Sequence, residues 1–223
     1  HEEAHAAEIP SPDGYKIIKP QCIPYISYPY EWSFSQLQDA ALVTLAIQKT
    51  AMLRGMTLKD ASAYNIQFRD GQPLLIDTLS FEKYEEGSPW TAYRQFCQHF
   101  LAPLALMSYR DVRLNQLLRI YIDGVPLDLA EKLLPCSTRL NPSLIMHVHL
   151  HAKSQKHFSD KKIDRKARTF SRLALAGLID SLEGCIKKLT WRPHGTQWAE
   201  YYQATNYSDR AAGHKKEIVA AFL

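Results

Sequence analysis

Three oxygen-bearing side chains around one short segment are the residues of this chain best suited to chemistry. Asp60 and Asn65 precede a predicted β-hairpin, and Asp77 follows it. The hairpin is indicated by Asp70-Gly71, which joins two short apolar runs and favours a two-residue turn. Because a two-stranded ribbon brings its outer ends together, we expect the three side chains to converge. Carboxylate and amide oxygens at one place suit a magnesium ion with a phosphate ligand.

The spacing of these residues resembles the catalytic loop and metal-binding segment of protein-kinase-like phosphotransferases. An Asp, four intervening residues and an Asn are followed by a hairpin and then by Ile76-Asp77. The resemblance implies that Asp60 is the catalytic base. It also implies that Asn65 and Asp77 hold magnesium against the phosphates of ATP, and that Lys59 lies in the cofactor site.

The sequence departs from the kinase pattern at several places. Leu58-Lys59 stands where His-Arg is usual, and Thr78-Leu79 stands where Phe-Gly is usual. No glycine-rich loop of the form Gly-x-Gly-x-x-Gly occurs in the chain. Lys16, in a predicted strand, is interpreted as a solvated lysine rather than a phosphate contact. These departures favour a degenerate kinase-like large lobe with little or no small lobe.

A wider resemblance covers most of the chain. It is similar to the region that precedes the methyltransferase domain in bacterial nodulation-type, SAM-dependent methyltransferases. The matching segments are Tyr28-Pro29-Tyr30-Glu31-Trp32-Ser33-Phe34, residues 58–65, residues 76–82 and Tyr93-Arg94-Gln95-Phe96. This resemblance implies that SAM binds in a further domain downstream, since no glycine-rich turn after a strand occurs in these 223 residues.

Composition limits the other classes of function. The net charge of +4 is small and evenly spread, so nucleic acid is not an expected partner. No apolar run is long enough to span a bilayer and no signal peptide is visible, so we expect no membrane segment. Four scattered cysteines favour reduced thiols in the cytoplasm. The expected partner is a small-molecule substrate or the fused downstream domain, and the first residue, His1, suggests a fragment.

The predicted fold class is α+β and mainly helical, with a kinase-like C-lobe and a small hairpin that carries the polar site. Residues 1–32 are predicted to form an N-terminal tail, a strand at 15–19 and a hinge-like segment. A frayed helix or tail is expected over residues 1–12. Residues 33–190 form the helical lobe, and residues 191–223 form linker helices towards the missing domain.

Helical periodicity places most of the elements. The clearest helix covers residues 32–54, is capped by Ser33 or Ser35, and ends at Gly55. A second helix is predicted over residues 90–109, with Pro89 near its first helical position and a kink or a break into two helices at Pro103. Further helices are predicted over residues 112–122, 127–134, 142–154, 169–189 and 198–203, and a last one is capped within 206–209. Leu173 is expected to belong to the apolar stripe of the helix at 169–189.

Two connecting features complete this picture. Residues 80–89 are predicted to be a plain loop. Arg94 and Gln95, in the helix that follows, are expected to reach Asp77 or Glu82 as structural partners.

Three histidines leave two interpretations open. On a helix His147 and His151 share a face and can chelate zinc, whereas in a strand His147, His149 and His151 would all share one. No third-ligand motif accompanies them, so histidines packed in a helix are the default. The basic segment 155–168 is interpreted as a solvated loop; phosphate, RNA or an acidic partner is the alternative.

Three functions therefore stand side by side. The first is a degenerate kinase-like region for substrate binding or scaffolding, fused to a methyltransferase. The second is the large lobe of a working phosphotransferase that uses Mg-ATP, with Asp60 as base. The third is a helical protein-interaction domain in which Asp60 and Asp77 cap turns and Asn65 takes a left-handed conformation.

Overall fold

A long helix, α1, spans Phe34–Leu53 in the computed structural model, close to the predicted residues 32–54. The Ser33 hydroxyl accepts the backbone N–H of Gln36, and the Gln36 side chain accepts the N–H of Ser33, which makes a capping box. At the other end Gly55 has a φ of 71°, a conformation in which glycine commonly ends helices. The predicted helix is confirmed.

The structure describes the residues 2–3, 18–20, 22–150, 170–192 and 205–222. They belong to two compact units, His1–Trp191 and Arg192–Leu223. Four features named in the sequence analysis lie outside the described residues: Lys16, His151, the basic segment 155–168 and the helix predicted over 198–203.

The described part of the first unit is mainly helical, with small antiparallel pairs of strands, as predicted for an α+β chain. The helices that follow α1 are α2 (Tyr93–Phe96), α3 (Ala102–Tyr109), α4 (Leu117–Ile120), α5 (Leu127–Leu133), α6 (Pro142–Leu144) and α7 (Arg172–Lys188). Shorter turns between them are the 3-10 turns Pro29–Glu31, Ala63–Asn65, Val112–Gln116 and Cys136–Leu140 and the π turns Cys97–Leu101 and Ile145–His149. Helix α5 confirms the prediction for residues 127–134.

The helix predicted over residues 112–122 is only partly α-helical. It begins as the 3-10 turn Val112–Gln116, and the α-helical part is confined to Leu117–Ile120. The Asp111 carboxylate accepts the backbone N–H of Arg113 at 2.9 Å. Such an Asx turn competes with a regular first α-turn and favours the tighter start.

The helix predicted over residues 90–109 begins later than expected. Its first α-helical residue is Tyr93, so the placement of Pro89 near the first helical position is wrong. The π turn Cys97–Leu101 then interrupts the helix before Pro103. Because a proline ring clashes with the carbonyl four residues earlier in a regular helix, the wider turn accommodates it. The predicted disturbance at Pro103 takes this form.

The predicted hairpin is present. Strand β4 (Ile66–Arg69) pairs antiparallel with β5 (Gln72–Leu75). Asp70 and Gly71 between them have φ values of 50° and 73°, as a type I′ turn requires. Among the described residues Asp70 is the only non-glycine residue with positive φ, so the left-handed conformation considered for Asn65 is wrong.

A second pair of strands lies where a plain loop is predicted. Strand β3 (Met56–Leu58) pairs antiparallel with β6 (Phe81–Lys83), so the loop predicted over residues 80–89 is wrong at its start. Each strand has three residues, and two of those in β6 are charged. A run this short gives no alternating pattern that could reveal a strand.

The N-terminal residues contribute one more strand pair. Strand β1 (Glu2–Glu3) pairs antiparallel with β2 (Ile18–Lys19). This pairing replaces, at Glu2 and Glu3, the frayed helix or tail predicted for residues 1–12. The described end of the strand predicted at 15–19 is confirmed.

The core of the first unit is built around α3, which is buried on all sides from Ala102 to Met107. Helix α7 covers this core with one apolar stripe, made of Leu175, Ile179, Leu182 and Ile186. Leu173 was predicted to belong to the stripe but is 83% exposed. It lies two residues before Leu175 and therefore points to the opposite side of the helix.

Polar contacts also join α1 to α7. Lys49 on α1 forms ion pairs with Asp180, at 2.6 Å, and with Glu183. The Gln38 side chain donates to the carbonyl of Ile186 at 2.8 Å. Carbonyls in the last turn of a helix lack partners within it, so Gln38 closes the end of α7.

In the second unit, helix α8 spans Asp209–Phe222. The Ser208 hydroxyl accepts the N–H of Ala211 at 3.3 Å, which confirms the predicted cap. None of the described residues of α8 is buried, and Phe222 is 87% exposed.

No helix in the described part of the chain combines the length and hydrophobicity needed to cross a bilayer.

All four cysteines, Cys22, Cys97, Cys136 and Cys185, are free thiols, as expected for reduced cysteines. Burial raises the pKa of Cys185 to about 11 and also raises the pKa of Cys97. Neither buried thiol is therefore a thiolate at neutral pH.

Substituting Gly124 by alanine should destabilise the protein more than the same change at Gly71. Both glycines have positive φ, 89° and 73°, so alanine costs roughly 1 kcal/mol at either position. A Cβ at position 124 would also lie 2.7 Å from the Cβ of Gln98, whereas nothing lies within 4 Å at Gly71. We expect urea denaturation to show a loss of roughly 3 kcal/mol for Gly124→Ala. Equal losses in the two variants would contradict this account.

Candidate functional site

Residues 59–65, here called the polar loop, connect β3 to the hairpin. The backbone N–H of Lys59 donates to the carbonyl of Ser80 at 2.8 Å. At the other end, the N–H of Ile76 donates to the carbonyl of Asn65, also at 2.8 Å. Both ends of the polar loop are thus tied to the segment that leaves the hairpin, and this pairing brings Asp77 next to the loop.

Ser80 connects two of the three predicted site residues. Its hydroxyl donates to Oδ2 of Asp77 at 2.7 Å and accepts the side-chain amide of Asn65 at 3.1 Å. The other oxygen of Asp77 accepts the backbone N–H of Leu79 at 2.8 Å. Ser80 is 1% exposed, so this hydrogen-bond chain lies at the floor of the site.

Asp60 lies in a turn of its own. Its Oδ1 accepts the backbone N–H of Ser62 at 2.9 Å, and the Ser62 hydroxyl accepts the N–H of Tyr64 at 3.2 Å. In the described residues no hydrogen bond joins the Asp60 side chain to Asn65 or to Asp77. The structure therefore links two members of the predicted trio through Ser80 and places the third in a separate Asx turn.

The Lys59 side chain is exposed, and its place in a cofactor site stays a prediction. The contact predicted for Gln95 with Asp77 or Glu82 is wrong, because its Oε1 accepts the backbone N–H of Ala61 at 2.7 Å. Glu82 instead accepts the hydroxyl of Thr91 at 3.2 Å.

Two contacts that sequence reasoning missed hold the polar loop in place. The Trp90 indole N–H donates to the carbonyl of Leu58 at 2.8 Å, just before the loop, and Gln95 binds inside it. Neither contact has a sequence signal, because both join positions more than thirty residues apart. Ser80 could have been found, since a serine three residues after an aspartate commonly closes a turn.

His99 is a buried histidine beneath the polar loop. It is 1% exposed, and within the described structure its Nδ1 has no hydrogen-bond partner. The ring of Tyr64 meets it edge-on, with ring centroids 6.2 Å apart. Burial lowers the pKa of His99 to about 4, against the opposing effect of the Asp60 and Asp123 carboxylates. His99 is therefore neutral at physiological pH.

The histidines considered as zinc ligands bind hydroxyl groups. Nδ1 of His147 lies 2.7 Å from the hydroxyl of Tyr93, and Nε2 lies 3.0 Å from that of Ser181. Nε2 of His149 lies 3.1 Å from the Thr138 hydroxyl. Both histidines lie in the π turn Ile145–His149, where the regular spacing behind the shared-face argument does not hold.

Among the described residues, no three His, Cys, Asp or Glu side chains are grouped so that they could hold a metal ion. Asn65 and Asp77 offer an amide oxygen and a carboxylate, and such a pair is not one of these groups of three. Its role in magnesium binding stays a prediction.

One curated protein resembles this chain along nearly all of its length. Nodulation protein NoeA of Rhizobium meliloti (strain 1021) is 34% identical over 214 residues. The chain is similar to a nodulation protein. The match covers 93% of this chain but 45% of NoeA, so the chain spans less than half the length of that relative.

The other comparisons identify no relative. No protein-family model matches the chain. No solved structure matches it either. The resemblance to nodulation proteins thus has support from a relative, whereas the resemblance to protein kinases stays a prediction.

Replacing Ser80 by alanine should destabilise the polar loop. The change removes two hydrogen bonds and leaves a carboxylate oxygen of Asp77 and the amide of Asn65 without this partner. We expect urea denaturation to show a loss of roughly 2 kcal/mol. Ser137→Ala, at an exposed serine, is the matched control and should change stability by less than about 0.5 kcal/mol. Similar values for both variants would contradict the role assigned to Ser80.

His99 should make the protein less stable as the pH falls. Its pKa is about 4 in the folded state and 6.5 when free, so the unfolded chain binds the proton more readily. The stability from neutral His99 is fully present above pH 6.5 and is lost as the pH falls to about 4. Relative to His99→Leu, the wild type should lose about 3 kcal/mol of unfolding free energy over this range. Parallel pH profiles for the two proteins would contradict this assignment.

Proposed function

We propose that this chain is a kinase-like, non-catalytic region for substrate binding or scaffolding within a longer nodulation-type methyltransferase. In this proposal SAM binds in a part of the protein outside the chain. One observation carries this proposal. The side chains of Asp60, Asn65 and Asp77 all form hydrogen bonds with nearby parts of their own loop and of the segment that leaves the hairpin. Side chains that hold their own loop in shape can form a binding surface without taking part in a reaction.

The order of elements supports a kinase-like lobe. Helix α1 leads through β3 to the polar loop, and the hairpin then returns the chain to Asp77. Strand β6 follows, and after it comes the buried helix α3. This is the order that the resemblance to kinase-like large lobes implies, and the β3–β6 pair adds a contact between the two site segments.

The relation to a longer protein is supported by the coverage of the match with NoeA. The similarity extends over 93% of this chain at 34% identity, so the whole described architecture is relevant to that relative. The name of the relative gives nodulation as its context. The methyltransferase assignment comes from the resemblance found in the sequence.

Phosphotransfer is the second candidate, because Ser80 brings Asn65 and Asp77 together. Their oxygens fit a magnesium ion, which would neutralise charge on bound phosphates. Asp60 is the base in this alternative, but its carboxylate is engaged in the turn with Ser62. The non-catalytic function is favoured for this reason.

Isothermal titration of the chain with Mg-ATP separates the two candidates. We expect no saturable heat for the wild type and none for Asp77→Asn, which keeps the shape of the side chain but removes its charge. Circular dichroism of both proteins provides the folding control. Saturable, magnesium-dependent binding that disappears in Asp77→Asn would overturn the non-catalytic proposal and favour phosphotransfer.

A further inference from the structure

A pocket that contains no residue of the polar loop lies along α1. It has a volume of about 380 Å³ and is bounded by the last turns of α1 and by strands β3 and β6. Ala46, Ile47 and Thr50 line it from the helix, and Met56 and Phe81 line it from the two strands. The established contacts of the polar loop involve none of these residues.

The walls of this pocket are apolar. The hydroxyl of Thr50 donates to the carbonyl of Ala46 at 2.9 Å, so the polar atom of this side chain is satisfied within the helix. Met56 and Phe81 are half-buried, and both belong to the face of the β3–β6 pair that also carries the buried Leu58. Such a surface suits an aliphatic or aromatic body.

The rim of the pocket is cationic. Arg54 lines it and is exposed. Lys83 lies directly opposite Met56 in the β3–β6 pair, so it projects from the same face of these strands. In the described part of the chain neither cation forms an ion pair with an acidic side chain. An anionic group bound here would meet the guanidinium of Arg54, which lines the pocket, on the strand face that also carries Lys83.

The end of α1 does not oppose such an anion strongly. Exposed carbonyls at a helix C-terminus carry a partial negative charge. The guanidinium of Arg172, from α7, donates to the carbonyl of Met52 in this last turn. The helix end is thereby partly neutralised by a third cation.

We propose that this pocket binds a small carboxylate with an aliphatic body. The body lies between Ala46, Met56 and Phe81, and the carboxylate lies against Arg54. A pocket of about 380 Å³ is in the size range of small-molecule sites, whereas a protein partner would need a far larger contact surface. The site is separate from the function proposed for the polar loop, so either proposal can fail alone.

Titration calorimetry of the chain with decanoate, below its micelle concentration, tests the pocket. We expect saturable binding that is about tenfold weaker in Arg54→Gln, because a charge-assisted contact is lost. Ala46→Phe should abolish binding by filling the pocket from an exposed helix position. Arg94→Gln, at an exposed arginine outside the pocket, is the matched control and should bind as the wild type does.

The methionine methyl groups show where the ligand binds. With ¹³C-methyl methionine, decanoate should shift the Met56 signal and leave that of Met107, which is 1% exposed in the core, unchanged. If Ala46→Phe does not fold, Thr50→Tyr blocks the same pocket from another exposed position. Decanol that binds as tightly as decanoate, unchanged affinity in Arg54→Gln, a stationary Met56 signal or no binding at all would each overturn the proposal.

Discussion

The polar loop belongs to no sheet, so the backbone groups of its buried residues need hydrogen-bond partners from elsewhere. Gln95, in α2, accepts the N–H of Ala61, and Trp90, just before that helix, donates to the carbonyl of Leu58 at the end of β3. On the other side of the loop, the Ser80 carbonyl accepts the N–H of Lys59. The Ser80 hydroxyl accepts the side-chain amide of Asn65 and donates to Asp77. The position of the loop is therefore coupled to the position of the helix that leads into the core, and the candidate site depends on that coupling.

Sequence reasoning succeeds where the cause of a structure is local. The hairpin follows from Asp70-Gly71, whose backbone conformation needs no distant contact. The boundaries of α1 follow from the capping box of Ser33 and from Gly55. The approach of Asn65 to Asp77 is then a geometric result of the hairpin, and this half of the site could be predicted.

The rest of the site depends on contacts between distant positions. Nothing near Gln95 in the sequence indicates that it serves Ala61, and the turn that withdraws Asp60 from the trio is formed by the backbone of Ser62. The shared-face argument for zinc loses its basis at the histidines, since a π turn changes the angular spacing on which such a face depends, and His147 and His149 are buried there as the default interpretation expects. Strand β6 is too short to show a pattern of its own.

The π turn Cys97–Leu101 has a consequence for how this region can change over evolutionary time. Such a turn is an α-helix with one inserted residue, and each residue advances a helix by about 100°. Deleting one residue there would place Pro103 against the carbonyl of a regular turn, and it would rotate Gln95 by that angle relative to the buried α3. The inserted residue therefore sets the angle between the buried side chains of α3 and Gln95, which contacts the polar loop. An insertion or deletion of one residue in this turn should therefore displace Gln95 from the polar loop even where every other residue is kept.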